Sequence, residues 1–315
     1  MTLDSHLTEF AGLPVFSFDH ETGEDELLPA EAEHAWAVRT ASDDEEEPFG
    51  ELWSRFRAAV DTTKITALVI GYWGVSYDSN YADPVALLVE AAADFPNLRS
   101  LFLGDIDMEE LEISWIEHFD ITPLFSAFPL LERFEMRGAD GTEGELKLEP
   151  IKSTALKLLR LESGGLPGRV VRAVAASDLP NLEHLDLWLG EGNYGGDATV
   201  ADLAPILSGE RLPALRHLGL EDSEIQDEIA AAVAGAPIVA RLETLSLAMG
   251  VLTDEGAEAL LSGQPLTHLR KLDLSHHYLT DAMQERIRAA LPGVEVDLND
   301  QQNLDDEWRV VAVAE

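Results

Sequence analysis

Two histidines and two carboxylates stand at spacings that could bring them together. His184 and Asp186 are two residues apart, and His217 and Glu221 follow in a similar sequence context. Imidazole nitrogens and carboxylate oxygens at neighbouring positions could hold a divalent metal with one open coordination position. The competing interpretation is a polar surface, because an exposed set would lack the hydrogen-bonded partners that orient metal ligands. We therefore expect no stoichiometric metal here.

A glycine-rich segment, Gly-Glu-Gly-Asn-Tyr-Gly at 190–195, matches the GxGxxG pattern of dinucleotide-binding loops. It contains a glutamate and no basic residue, so an inserted loop is the favoured interpretation. The signatures of GxSxG hydrolases, HExxH proteases, Walker A sites and deaminases are absent from the sequence. The acids at 105, 107, 109 and 110 lack the spacing and the glycine of an EF-hand. The sequence thus predicts no catalytic residue and no cofactor.

The segments that carry these residues repeat one short phrase with the spacing LxxLxL. It reads Leu-Glu-His-Leu-Asp-Leu at 182–187 and Leu-Arg-His-Leu-Gly-Leu at 215–220. First positions are 65, 98, 131, 156, 182, 215, 242 and 269, with a degenerate copy at 294. Self-similarity at a period of roughly 20 to 50 residues is typical of a solenoid. The phrase predicts an α/β leucine-rich-repeat solenoid, a horseshoe of about eight to nine repeats with a parallel concave sheet and convex helices.

Helical segments are predicted between the phrases. Thr253 and Thr280 are each followed by Asp and are expected helix N-caps. Strand, helix and strand at this period are typical of ribonuclease-inhibitor-like repeats. Their ninth position is often Asn or Cys, but here it is Ser223, Gly250 or His277. We therefore expect the turn after each strand to satisfy its backbone in another way.

Three regions follow from the position of the repeats. Residues 1–60 lack the phrase and are predicted to form an N-terminal cap, with two short strands and an amphipathic helix after the acidic run 43–47. Residues 61–300 are the repeat domain, and residues 301–315 are an acidic C-terminal tail. A cap is expected because the first repeat would otherwise expose its core.

Composition excludes several classes of function. The chain has 315 residues, of which 60 are acidic and 21 basic, for a formal net charge of −39. Nucleic acids and anionic membranes attract basic surfaces, so neither partner is expected. The chain has no cysteine, which excludes disulfides and thiolate sites. No secretory leader or long apolar run is visible, so we expect a cytoplasmic protein whose acidity suits a basic partner or a salty cytosol.

Residues that alternate with the leucines are predicted to form rows on the concave face. The basic ones in the middle of the sheet are Arg133, Arg137 and Arg160. We expect Glu135 and Glu162 to pair with them across strands, as a solvated ion ladder. The alternative is an arginine cluster that grips an anionic partner.

Aromatic side chains with hydrogen-bonding groups concentrate in inserted loops and at one strand end. They are Tyr72, Trp73, Tyr77, Tyr81 and Trp188. Together with the apolar strand residues Val69 and Phe102, the first loop is expected to form a continuous exposed patch for a partner, since interfaces favour Tyr and Trp. The alternative is that these side chains pack locally over the edge of the sheet.

Several longer phrases carry a closer resemblance. They are Leu-Pro-Val-Phe at 13–16, Gly-Asp-Ile at 104–106, Glu-Ile-Ser-Trp-Ile at 112–116, His-Leu-Asp-Leu-Trp-Leu-Gly at 184–190 and Gly-Gly-Asp-Ala-Thr-Val-Ala-Asp-Leu-Ala at 195–204. Over nearly its whole length the chain is similar to a bacterial leucine-rich-repeat family known by a locus tag. The resemblance brings no established activity. Members lie in gene clusters with radical-type and ATP-grasp enzymes, which implies an accessory role.

The sequence therefore predicts a non-enzymatic scaffold that binds a protein partner through its concave face and its inserted aromatic loops. The alternative hypothesis is an accessory ligand- or metal-binding protein of a biosynthetic gene cluster. In that case the patch around His184 and His217, with Asp186 and Glu221, would be the site.

Overall fold

Each LxxLxL phrase forms a β-strand that begins at its third position. The phrase that starts at residue 182 gives a strand from His184, and the phrase at 215 gives one from His217. Alternate side chains point to opposite faces of a strand, so Leu185 and Leu187 turn together into the core and are fully buried. The predicted strand positions and the parallel pairing are confirmed.

The computed structural model describes residues 5–23, 27–41, 47–75, 81–140, 146–304 and 308–314. It divides the chain into two compact units, Met1–Lys147 and Leu148–Glu315. Most of the predicted acidic run at 43–47, and Tyr77, lie outside the described residues.

The first unit contains six strands and three α-helices within its described part. The strands are β1 (Glu9–Phe10), β2 (Leu13–Phe18), β3 (Ala35–Val38), β4 (Ala67–Ile70), β5 (Ser100–Leu103) and β6 (Arg133–Arg137). The helices are α1 (Phe49–Ala59), α2 (Pro84–Glu90) and α3 (Thr122–Ala127). β1 and β2 form an antiparallel hairpin, and β2 to β6 pair in parallel in chain order.

The parallel sheet of this unit begins inside the predicted cap. Trp36 on β3 lies opposite Leu68 on β4, in the register that the LxxLxL strands use. The two short strands predicted there are present, but they extend the repeat sheet instead of forming a separate layer. Helix α1 buries Leu52, Trp53 and Phe56, as its amphipathic spacing predicts.

The second unit repeats strand and helix more regularly. Its strands are β7 (Leu158–Glu162), β8 (His184–Gly190), β9 (His217–Ser223), β10 (Thr244–Ser246), β11 (Lys271–Asp273) and β12 (Glu295–Asp297). Its helices are α4 (Gly168–Ala176), α5 (Val200–Ser208), α6 (Gln226–Ala234), α7 (Asp254–Ser262) and α8 (Asp281–Ala290). All these strands pair in parallel in chain order.

Aspartates at the starts of helices join successive repeats of the second unit. Asp227 accepts hydrogen bonds from Thr253 N at 2.7 Å and Thr253 Oγ1 at 2.5 Å. Asp254 binds Thr280 in the same way, at 2.9 and 2.8 Å. Each threonine also caps its own helix, as predicted. The carboxylates thus lie at helix N-termini, where the helix dipole favours negative charge.

At two of the three ninth repeat positions, Ser223 and His277, the side chain satisfies the turn after the strand. His277 Nδ1 accepts a hydrogen bond from Leu279 N at 3.1 Å, and its Nε2 donates to Leu298 O at 3.2 Å. Ser223 Oγ accepts from Ile225 N at 3.2 Å. A buried imidazole can accept at one nitrogen and donate at the other. It therefore takes the place of the amide that such repeats usually carry.

The end of the predicted C-terminal tail is part of the second unit. Within residues 308–314, Val313 N donates to Asp222 Oδ1 at 2.9 Å and Ala312 N donates to Met249 O at 2.8 Å. Both acceptors belong to residues with positive φ, Asp222 near the end of β9 and Met249 shortly after β10. These described tail residues therefore pack along the carboxyl ends of neighbouring strands. Among the described helices none is long and apolar enough to span a membrane.

Candidate functional site

Strands β8 and β9 carry the histidine and carboxylate patch. They pair in register, so His184 lies opposite His217 and Trp188 lies opposite Glu221. The intervening leucines turn to the core, and these residues share the opposite face of the sheet. The structure therefore places the residues of the predicted patch next to one another.

Asp186 joins the two imidazoles. His184 Nε2 lies 2.6 Å from Asp186 Oδ2, and His217 Nε2 lies 2.6 Å from Asp186 Oδ1. The two rings stack with centroids 3.9 Å apart and an angle of 6° between their planes. Burial alone would raise the pKa of Asp186, but the hydrogen bonds from both histidines outweigh burial and hold this pKa well below its usual range. The patch is a buried carboxylate anion that bridges the Nε2 atoms of two stacked imidazoles, and these three residues form the His184–Asp186–His217 clamp.

The clamp is better supported than the sequence indicates. Asp186 is 4% exposed, and His217 Nδ1 lies 2.5 Å from Thr244 Oγ1. The expectation that the patch would lack orienting partners is therefore wrong for Asp186 and His217. One ligand atom from each of His184, Asp186 and His217 lies within 4.8 Å of the others, so the set could hold a metal. However, a metal must lie near the plane of each ring that binds it, so one of these parallel rings would have to tilt.

Glu221 is the second carboxylate of the patch. Trp188 Nε1 donates a hydrogen bond to Glu221 Oε2 at 2.8 Å. Burial raises the pKa of Glu221 to about 7, and the negative charge of Asp186 contributes to the shift. A proton or another cation beside Glu221 is therefore favoured at neutral pH. Trp188 itself is buried, with 3% of its surface exposed.

The arginines of the sheet form contacts along their own strands. Arg160 Nε lies 2.9 Å from Glu162 Oε1, and its guanidinium lies over the ring of Trp188 at 5.5 Å. Arg133 likewise pairs with Glu135 two residues away. These carboxylates offset the positive charge, which favours ion pairs over an anion site. The expectation that the ladder would be solvated is wrong, because Glu135 and Glu162 are buried.

Arg137 is not part of an exposed arginine cluster. It is 1% exposed, and its guanidinium lies over the ring of Phe102 at 5.6 Å. Its Nη1 lies 3.4 Å from Ile106 O. A buried guanidinium held in this way is not available to an anionic partner at the surface.

The predicted exposed patch around Val69 and Phe102 is wrong. Both residues have 0% exposure, because the N-terminal segment lies across them. Phe10 packs against Phe102 with its ring at 90° and a centroid distance of 6.0 Å. Leu7 and Leu13 pack against the same cluster. Sequence reasoning missed this cover, since nothing in the chain's periodicity assigns the first residues to that face.

The first aromatic loop is also packed into its own unit. Trp73 is 2% exposed and lies against His118, with ring centroids 5.2 Å apart. Tyr72 is 8% exposed, and Tyr81 is half-buried with its ring 5.9 Å from Phe119. Local packing, the alternative interpretation, therefore describes these side chains better than an exposed contact surface.

Comparison with solved structures decides the family. A crystal structure of a protein from Bacteroides fragilis matches with a TM-score of 0.74 and 34% sequence identity, and the match covers 84% of this chain and 72% of that one. A family model described as a leucine-rich repeat matches residues 242–261 and 266–282. This chain is a bacterial leucine-rich-repeat protein. A comparison with curated proteins finds no match.

The glycine-rich loop of this leucine-rich-repeat protein packs against a neighbouring loop. Gly190 has a φ of +68°, and a Cβ built there would lie 1.9 Å from Gly164 O. Glu191 N donates to the same carbonyl at 2.8 Å. Close backbone approach therefore explains the glycine without a bound nucleotide, in line with the inserted-loop interpretation.

A second polar cluster in this leucine-rich-repeat protein was not predicted. His6 approaches the acids of the turn that follows β5, and one ligand atom each of His6, Asp107 and Glu110 lies within 4.8 Å of the others. Sequence reasoning considered only the acids, because about a hundred residues separate His6 from them. The positions in the sequence give no signal of this proximity.

Proposed function

We propose that this leucine-rich-repeat protein is a non-enzymatic scaffold that binds a basic segment of a protein partner. The contact surface is the face of strands β7 to β11 that carries the His184–Asp186–His217 clamp. Repeat scaffolds commonly present such faces to partners. A basic partner also suits the net charge of −39.

The balance of charges on this face supports a cationic ligand. Its carboxylates are Glu162, Asp186, Glu221 and Asp273, and its cations are Arg160 and Lys271. Lys271 lies 2.7 Å from Asp273, and Arg160 lies 2.9 Å from Glu162. Asp186 lies 2.6 Å from each of the two imidazoles and 4.0 Å from Arg160 Nε. Glu221 accepts a hydrogen bond from the Trp188 indole.

The observation that carries this function is the proximity of the carboxylates of Asp186 and Glu221 on either side of Gly219, where a Cβ would lie 2.1 Å from Asp186 Oδ1 and 3.3 Å from Glu221 Cδ. The raised pKa of Glu221 agrees with this proximity. Burial and the adjacent anion of Asp186 make a second negative charge costly there. An arginine or lysine of a partner would replace the proton and stabilise both carboxylates. Charge-assisted hydrogen bonds of this kind are among the stronger polar contacts in proteins.

The exposure of the side chains favours a partner surface on the second unit over one on the first. The side chains of His184 and His217 keep 32% and 23% exposure, so a ligand can reach the clamp from solvent. In the first unit, Val69 and Phe102, at the strand positions equivalent to Asp186 and Gly219, lie under the N-terminal segment. The sequence favoured the concave face together with the inserted aromatic loops. We therefore propose the strand face of the second unit as the partner surface and leave out the buried aromatic loop of the first unit.

Binding of a labelled arginine-rich peptide, followed by fluorescence anisotropy at low and high salt, tests this function. Glu221→Gln should weaken binding by about tenfold or more, since a partly buried charge pair is lost. Glu243→Gln is the matched control, because it removes an equal charge at an exposed position that pairs with Arg270. Equal effects of the two variants would mean that only overall acidity attracts the peptide. An absence of binding at low salt would reject a basic partner.

A further inference from the structure

Three side chains of the first unit direct one atom each toward a common point. His6 lies just before β1, and Asp107 and Glu110 lie in the turn after β5. His6 Nε2 is 3.4 Å from Glu110 Oε1 and 3.8 Å from Asp107 Oδ2. All three side chains are partly exposed, so an ion could enter from solvent.

Backbone hydrogen bonds fix the orientation of both carboxylates. Asp107 Oδ1 accepts from Glu109 N at 2.9 Å and from Glu110 N at 3.1 Å. Glu110 Oε2 accepts from Asp107 N at 3.1 Å. One oxygen of each carboxylate is therefore held by the turn, and the other faces His6. Partners of this kind orient ligands in metal sites and strengthen binding.

His6 is oriented by the same turn. Its Nδ1 lies 3.2 Å from the carbonyl oxygen of Asp105, which can only accept a hydrogen bond. Nδ1 therefore carries the hydrogen, and in the neutral ring Nε2 presents its lone pair to the two carboxylates. Three electron-rich atoms that face one another require a cation between them, either a proton or a metal ion.

We propose that His6 Nε2, Asp107 Oδ2 and Glu110 Oε1 bind one divalent transition-metal ion and leave a further coordination position open. Zinc–nitrogen and zinc–oxygen bonds of about 2.0–2.2 Å in a tetrahedral site put ligand atoms roughly 3.4 Å apart. The distances from His6 Nε2 are close to that spacing. At the clamp, by contrast, His184 and His217 each lie only 2.6 Å from an Asp186 oxygen.

A metal at this position would fasten the N-terminal segment to the turn after β5. The same segment already donates Leu7 N to Asp105 Oδ1 at 3.1 Å, and Arg39 Nη2 lies 3.1 Å from Asp105 Oδ2. Phe10, four residues after His6, covers the apolar sheet face. An ion that binds only the folded state stabilises it, so the cover should be held more firmly when metal is bound.

Zinc titration of the untagged full-length protein, by calorimetry and metal analysis after dialysis, tests this site. We expect one tight equivalent at neutral pH and a melting temperature that rises with zinc. His6→Ala should weaken the affinity for this zinc ion by at least about tenfold. The isosteric variants Asp107→Asn and Glu110→Gln should weaken it to the same extent. These isosteric variants keep the backbone hydrogen bonds of the turn, so loss of zinc in them does not reflect misfolding.

Two control variants separate this site from general attraction to an acidic surface. Glu109→Gln removes a neighbouring exposed charge, and His184→Ala opens the clamp of the second unit. Both control variants should still bind one zinc ion tightly. Zinc that is lost in His184→Ala but kept in His6→Ala would assign the ion to the clamp and overturn the His6 site. Failure of wild-type protein to bind one tight equivalent would overturn it as well.

Discussion

The imidazole ring of His184 lies parallel to that of His217, with the ring centroids 3.9 Å apart. The two rings meet through Asp186, whose oxygens each lie 2.6 Å from one Nε2. Parallel strands in register produce this contact, because equivalent positions lie about 4.8 Å apart across the sheet. The carboxylate anion that bridges the two Nε2 atoms is therefore a structural feature whose contribution can be measured.

Asp186→Asn should destabilise the protein at neutral pH by roughly 2 kcal/mol, since two imidazole donors lose a charged acceptor. The folded-state pKa of Asp186 is depressed below its ordinary 3.8. Its contribution is therefore present above pH 3.8 and is lost as the pH falls further. Urea unfolding at several pH values measures this difference. Asp273→Asn, which removes a less buried carboxylate paired with Lys271, should have a smaller effect.

Two acids of the second unit should make stability fall as the pH rises. Burial raises the pKa of Asp222 to about 8 and that of Glu221 to about 7. Between their ordinary values, 3.8 and 4.5, and these values, the folded protein keeps protons that the unfolded chain has released. The free energy of unfolding therefore decreases as the pH rises across this window and levels off above it.

Asp222→Asn should remove most of this pH dependence. The free energy of unfolding that wild type loses between acidic and alkaline pH should be smaller in the variant by an amount on the order of 5 kcal/mol. Its amide oxygen can still accept the hydrogen bond from Val313 N. Denaturant unfolding from pH 5 to about 9 gives the comparison with wild type. If the two proteins lose stability in parallel, other groups produce the pH dependence.

Phe10→Ala should destabilise the first unit by roughly 3 kcal/mol, because the buried ring packs on Phe102 and beneath the guanidinium of Arg133. Uncovering the apolar face should also increase the binding of a hydrophobic dye. Leu27→Ala is the control, since that side chain is 95% exposed. Equal stability of the two variants would show that the N-terminal segment contributes little to the fold.

Trp73→Ala should lower the melting temperature and cost roughly 3 kcal/mol of stability, because the indole is buried against His118. This expectation replaces the idea that the loop forms an exposed contact. Trp115→Ala removes an indole that is 52% exposed and should change stability by about 0.5 kcal/mol or less. Thermal and denaturant melts of both variants distinguish a packing residue from a surface one.

Periodicity alone was enough to predict the repeat strands β4 to β12, whereas β1 was not predicted. Leucines at LxxLxL spacing must turn to one side of a strand, so the strand positions follow from local alternation. The same alternation placed His184 beside His217 across neighbouring strands, as the structure confirms. Threonine followed by aspartate likewise predicted the caps at Thr253 and Thr280, because capping depends on adjacent residues.

Contacts between distant residues were decided by the tertiary structure alone. The N-terminal segment crosses Val69 and Phe102, and His6 reaches the acids after β5, although no periodic pattern connects these positions. Asp186 looked exposed as a strand residue, but two histidines and the neighbouring side chains bury it. Burial alone would raise the pKa of Asp186, but hydrogen bonds from the two histidines make it low. Burial and the charge of Asp186 raise the pKa of Glu221. Repeat spacing therefore sets the scaffold, while packing between distant segments sets exposure and charge.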